Sequence, residues 1–159
     1  MTQTQQRADG TYTFPKYFRE DTTSTTQTIV NSINTVVTFD VNKINTNNPF
    51  TYSAGVFTCQ VPGNYQINYQ IGWAGHADTK SRVTWIQTNG DTSRRYGTYE
   101  GANVSGDPIF CFGSYIIAFK KGDTFSIIAL DDATNVINVG GADASTTANR
   151  IQMKLMNII

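Results

Sequence analysis

Immediately after the Pro62-Gly63 pair, Tyr65, Ile67, Tyr69, Ile71 and Trp73 alternate without a break with Gln66, Asn68, Gln70 and Gly72. A period of two held over nine residues places five bulky apolar side chains on one face and amides on the other. A helix spreads the same residues around its axis and buries none of them cleanly. This stretch is therefore a β-strand with one face on a core, and the rest of the chain must supply the sheet around it.

Composition agrees. The chain carries 23 Thr and 14 Asn but only two Glu, Glu20 and Glu100. Thr is stiff at χ1 and suits a pleated sheet, whereas Asn suits turns. Val36, Val37, Phe39 and Val41 read as a strand closing at a turn over 42–48. Residues 50–52 and 56–61 read as strands separated by Ala54-Gly55, and residues 82–87 and 93–99 as strands joined by the hairpin signal Asn89-Gly90. Strands follow at 109–119, at 124–130 after the Lys120-Lys121-Gly122-Asp123 turn, and at 150–158, where Ile151, Met153 and Leu155 face one way. Eight to ten strands without an internal repeat describe one all-β domain, a sandwich or jelly roll. Residues 1–28, rich in Thr, Ser and Gln, read as an extended or flexible N-terminal arm, and residues 29–159 as the domain. The arm reads either as a solvated tail or as a segment that packs on a neighbouring subunit.

Twelve Lys and Arg balance twelve Asp and Glu, so the chain lacks the field that a phosphate-tracking protein uses, and nucleic acid is excluded as a main partner. No apolar run approaches the roughly 20 residues that span a bilayer. The first residues, Met1-Thr2-Gln3-Thr4-Gln5-Gln6, hold no apolar signal segment, so either a mature form or export by another route, as in a virion or spore component, is expected. Cys59 and Cys111 read as buried free thiols, with a bridge between them left open. Two Cys and one His cannot furnish a four-ligand zinc site.

Phe50, then Gly55-Val56-Phe57-Thr58-Cys59-Gln60-Val61-Pro62-Gly63-Asn64-Tyr65, resembles the signature of the complement C1q-like globular head, an aromatic followed by G-x-F-T-C-x-V-P-G-x-Y. Val37-Thr38-Phe39-Asp40, Asn89-Gly90, Ala118-Phe119-Lys120-Lys121-Gly122-Asp123 and the closing Arg150-Ile151-Gln152-Met153-Lys154-Leu155 stand in the family's order. The resemblance covers about residues 33 to 158. The family's usual Phe-x-Gly near the last strand is replaced by Arg150-Ile151-Gln152, and no collagen-like stem precedes the domain. The resemblance implies a ten-stranded jelly-roll sandwich of the C1q and tumour-necrosis-factor type, assembled as a homotrimer. Tyr65, Tyr69, Trp73 and Tyr115 are then either core or trimer interface, since aromatic residues serve both.

Candidate sites are sparse. His76 and Asp78 share a loop over 75–80 and make a candidate binding pair, with an ordinary surface histidine as the alternative. Arg94, Arg95, Tyr96 and Tyr99 combine charge and rings suited to an anionic glycan or a single strand, and equally suited to cross-strand pairing. Asp131 and Asp132 are oxygen donors of the kind calcium prefers, and some members of the resembled family hold calcium near the trimer apex. Asn103-Val104-Ser105 matches a glycosylation sequon. One His, two Glu and no nucleophile-elbow motif give an enzyme little to work with. The expected function is a non-catalytic trimeric head that binds a receptor, glycan or surface protein through loops at 75–80, 101–108 and 131–149. The alternative is a structural particle component, such as a capsid decoration, fibre tip or spore coat, whose arm docks to neighbours. Either would act outside the cell or on a particle surface.

Overall fold

The alternating stretch is one strand of eleven residues, Gly63–Trp73, with Tyr65, Ile67, Tyr69, Ile71 and Trp73 all buried. The structure, a computed structural model, describes residues 5–6, 12–13, 17–30, 32–73, 81–91, 95–100, 109–131, 137–139 and 149–158. In chain order its strands are β1 (Gln5–Gln6), β2 (Tyr12–Thr13), β3 (Phe18–Thr22), β4 (Gln27–Ile29), β5 (Thr35–Val36), β6 (Val41–Thr46), β7 (Phe50–Ser53) and β8 (Val56–Cys59). They continue with β9 (Gly63–Trp73), β10 (Arg82–Thr88), β11 (Arg95–Glu100), β12 (Ile109–Phe119), β13 (Thr124–Asp131), β14 (Ile137–Val139) and β15 (Arg150–Asn157).

Among the described residues β1 and β2 form a small two-stranded sheet, and the other strands form two large antiparallel sheets. Seven strands take the order β4-β14-β9-β15-β3-β6, with β12 also on β9, and six take the order β11-β10-β13-β8-β7, with β5 on β13. Strand β9 is paired along its whole length by β12, from Gly63↔Phe119 to Trp73↔Ile109, and by β15 over most of it. The inner faces meet in an aromatic cluster. Phe50 stands edge-on to Tyr65 at 4.7 Å, to Phe119 at 5.6 Å and to Phe125 at 5.3 Å, and Phe57 stacks on Phe125 at 4.9 Å. Phe50, Phe57 and Phe125 come from one sheet and Tyr65 and Phe119 from the other, so the cluster joins the two layers.

Three expectations are corrected. Residues 17–28 are not an arm: β3 pairs with the final strand β15 on one side and with β6 on the other. Its inward residues are Arg19 and Asp21, both buried. Arg19 Nε lies 2.6 Å from Asp21 Oδ2, Nη2 donates to Asp21 Oδ1 at 3.0 Å, and Nη1 donates to the Phe50 carbonyl. The guanidinium also lies 5.7 Å from the Tyr52 ring centre and 5.6 Å from that of Phe57. An inward face made of an ion pair leaves no apolar alternation to read, so the sheet begins at Phe18, ahead of the expected boundary. Second, the turn expected over 42–48 is mostly β6, an edge strand whose Asn residues face water; the turn itself is Asn47 and Asn48, at φ 56° and 45°. Third, the loop expected over 131–149 contains β14, which pairs with β4 and touches β9 at Val139↔Trp73.

Removing one partner of a buried ion pair strands the other. Asp21→Ala is expected to lower unfolding free energy by about 3–5 kcal/mol, read as a fall in urea midpoint at unchanged m-value. The pair Arg19→Met with Asp21→Leu is expected to recover most of that loss.

Candidate functional site

The outward residues of β9 are amides, and register arranges them into rows across the sheet. Glu20, Gln152, Asn68 and Ser114 lie opposite one another on β3, β15, β9 and β12. Gln152 Nε2 donates to Glu20 Oε2 at 2.6 Å, and Ser114 Oγ donates to Asn68 Oδ1 at 2.7 Å. The row on one side is Thr22, Arg150, Gln70 and Phe112; the row on the other is Phe18, Lys154, Gln66 and Ile116. Gln66, Asn68, Gln70, Phe112, Ser114, Arg150 and Gln152 line a shallow depression of about 510 Å³. Beside the amides, Phe112 is 55% exposed and Ile116 66% exposed. A polar sheet face that carries two uncovered large apolar side chains is unusual for a surface meant only for water.

The aromatic residues singled out from the sequence divide by depth. Tyr65, Tyr69 and Trp73 are core within the single chain. Tyr65 donates its hydroxyl to the Val61 carbonyl at 2.8 Å, and Tyr69 spans the sandwich to donate to the Thr84 carbonyl at 3.1 Å. Tyr115 is half-buried: its hydroxyl donates to the Gly97 carbonyl at 2.8 Å and its ring lies 5.6 Å from Tyr96. These two tyrosines close the side of the sandwich where β12 faces β11. Arg95 and Tyr99 belong to β11, opposite Gln87 and Val83; their side chains lie outside the described residues, as do His76, Asp78, Arg94 and Asp132 entirely.

Asp131 is fully buried, opposite Arg82 in register, with Arg82 Nε 4.0 Å from Asp131 Oδ1. Its carboxylate thus faces a guanidinium inside the chain. Among the described residues no group of three or more His, Cys, Asp or Glu gathers to hold a metal ion. No helix among them is long and apolar enough to cross a membrane.

Sequence reasoning passed over Glu20, Phe112, Ile116, Arg150 and Gln152. A signal for two of them was present: β12 runs Ile109-Phe110-Cys111-Phe112 and later Tyr115-Ile116-Ile117, apolar on both faces, where a strand with one wet face alternates.

A family model for the C1q domain matches residues 21–145. The chain belongs to the C1q domain family. Among solved structures, the globular domain of the zebrafish complement 1qA protein aligns with a TM-score of 0.63 at 16% identity, covering 91% of this chain and 100% of that one. Murine APRIL at pH 5.0 aligns with 0.63 at 11% identity, covering 87% and 98%. The Eiger TNF of S. frugiperda aligns with 0.62 at 15% identity, covering 91% and 95%. At such identities these likenesses show the shared jelly roll alone. No curated protein matches the chain.

Both cysteines of this C1q domain are buried thiols, and no disulfide joins them. Burial pushes the Cys59 thiol up to about 11 and moves the Tyr65 phenol in the same direction. A thiol held neutral by the fold contributes stability below the unfolded value near 9, and loses it as pH rises towards 11. Thermal midpoints measured from pH 8 to 11 are expected to fall above about pH 9, and Cys59→Ala is expected to flatten that fall. Native protein at neutral pH is expected to resist alkylation at both cysteines until unfolded.

Proposed function

We propose that this C1q domain is a non-catalytic recognition head that works as a homotrimer, its copies joined through the outward face of the seven-stranded sheet and its partner met by exposed loops. The observation that carries the reading is Phe112 and Ile116, uncovered on β12 beside an amide-lined depression on β9 and β15. Homologous C1q and TNF domains are trimers, and a cyclic assembly of that kind joins copies through heterologous contacts. Amides and hydroxyls around such an apolar contact supply the polar share of an interface.

The absence of catalytic character rests on the family and the residues together. C1q-like and TNF-like proteins are generally binding proteins, and among the described residues that line the depression there are amides, a hydroxyl and one cation, without a nucleophile held by a base. Recognition then falls to loops at the ends of a rigid sandwich. The partner is a receptor, a glycan or a surface protein, and the head works outside the cell or on a particle surface.

Light scattering of the purified protein is expected to give three times the 17.6 kDa chain mass. Ile116→Asp, which places a charge at the uncovered position, is expected to yield a folded monomer with an unchanged far-ultraviolet spectrum. A wild-type monomer at micromolar concentration overturns the trimer.

A further inference from the structure

Beyond Thr88↔Phe125, the last register pair of β10 and β13, a side chain carries the ladder one step further. Asn89 N donates to the Thr124 carbonyl at 2.8 Å, and Asn89 Oδ1, in place of a backbone carbonyl, accepts from Thr124 N at 2.8 Å. Asn89 Nδ2 donates to Asp123 Oδ1 at 3.3 Å, while Asp123 Oδ2 accepts from Lys120 N at 2.7 Å. One primary amide thus ties the turn after β10 to the turn between β12 and β13. The next residue is Gly90, and of the 14 Asn in the chain only Asn89 precedes a glycine. Both residues are exposed, the space where a Cβ of Gly90 would stand is open, and the Gly90 N–H has no hydrogen-bond partner among the described residues.

We propose that Asn89 is a site of spontaneous deamidation, and that its conversion cuts the tie between the two turns. The Gly90 backbone nitrogen gives its proton to water and attacks Asn89 Cγ; the Cγ–Nδ2 bond breaks, ammonia leaves with a proton from water, and a succinimide ring forms. A water molecule then opens the ring at either carbonyl, giving an aspartyl or an isoaspartyl residue. One water enters, one ammonia leaves, and nothing is oxidised or reduced. Glycine leaves the attacking nitrogen open to approach, because it has no Cβ. The Thr124 N–H, already 2.8 Å from Oδ1, stands at the distance that steadies the oxyanion formed as the nitrogen adds. The aspartyl product keeps an acceptor for Thr124 N but sets a carboxylate oxygen where Nδ2 met Asp123 Oδ1, so a hydrogen bond becomes a repulsion between like charges. The isoaspartyl product lengthens the turn by one methylene group and alters the hairpin geometry that Asp91 N closes on the Thr88 carbonyl.

The test has two arms. Folded wild-type protein is held warm at mildly alkaline pH and mapped by peptide mass spectrometry over time. A gain of one dalton, with an isoaspartyl and an aspartyl form resolved by chromatography, is expected at Asn89 before any other Asn. In the second arm Asn89→Asp is expected to lower the thermal midpoint by about 2–4 °C. Asn89→Asp combined with Asp123→Asn exchanges donor and acceptor across the same contact, and is expected to recover most of that loss, as a double-mutant cycle reads it. Native protein that gains no mass at Asn89, or gains it there after other Asn residues, overturns the modification site. An Asn89→Asp variant as stable as wild type, or one that Asp123→Asn fails to rescue, overturns the tie.

Discussion

Strand β9 is the constraint on which the rest of the molecule is registered. Its eleven residues are paired along one edge by β12 and along the other by β15, and its inward side chains meet the opposite sheet. A slip of one residue would turn Tyr65, Ile67, Tyr69 and Ile71 to the outside and Gln66, Asn68 and Gln70 into the core. Two glycines hold the register against such slips. A Cβ on Gly113 would stand 2.3 Å from the Tyr69 ring, and one on Gly63 would stand 2.4 Å from Leu155 Cδ1 and 2.6 Å from the Asn157 carbonyl oxygen. Close approach is therefore built on both edges of β9, by its own Gly63 beside β15 and by Gly113 of β12 beside Tyr69.

The strongly patterned elements were legible from the sequence, and the reason is simple periodicity or turn chemistry. Strands β9, β12, β13 and β15 sit within two residues of their expected bounds, and Asn89 and Gly90 adopt positive φ values, 50° and 68°, in a tight turn after β10 that Asp91 N closes on the Thr88 carbonyl. Strands β3 and β6 were not legible. The inward residues of β3 are charges that satisfy each other, and β6 is an edge strand whose exposed Asn and Lys resemble a turn. Other polar side chains do the work of a sheet where backbone pairing stops. Gln27 donates to the Val36 carbonyl at 2.6 Å and accepts from Thr38 N at 2.9 Å, and Tyr52 accepts from Phe39 N at 2.6 Å. A tertiary contact of that kind has no local signature.

The candidate site was legible only in part. That β9 has an amide face follows from the alternation, but the rows that join Glu20 to Ser114 and Thr22 to Phe112 depend on pairings between residues up to about 130 apart in the chain. Register is set by packing and turns across the whole domain. Loops, by contrast, were favoured as sites because rigid sandwiches generally display function there. The geometry adds a second kind of surface, a shallow depression in the middle of a sheet, whose residues belong to the strands themselves.

The low charge of the chain takes its meaning from that surface. A sheet face that stays in water is ordinarily dressed with Lys and Glu, whereas this one is built from Gln66, Asn68, Gln70, Ser114 and Gln152. Amides and hydroxyls lose far less than charges when water is removed, provided that each finds a hydrogen-bond partner. Asn68 with Ser114, and Gln152 with Glu20, already have one within the chain. On β3 and β15 part of this face is already covered within the chain, where Phe18, Thr22 and Gln152 are buried. Exposed Phe112 and Ile116 are the large apolar side chains on this face whose burial would be favourable.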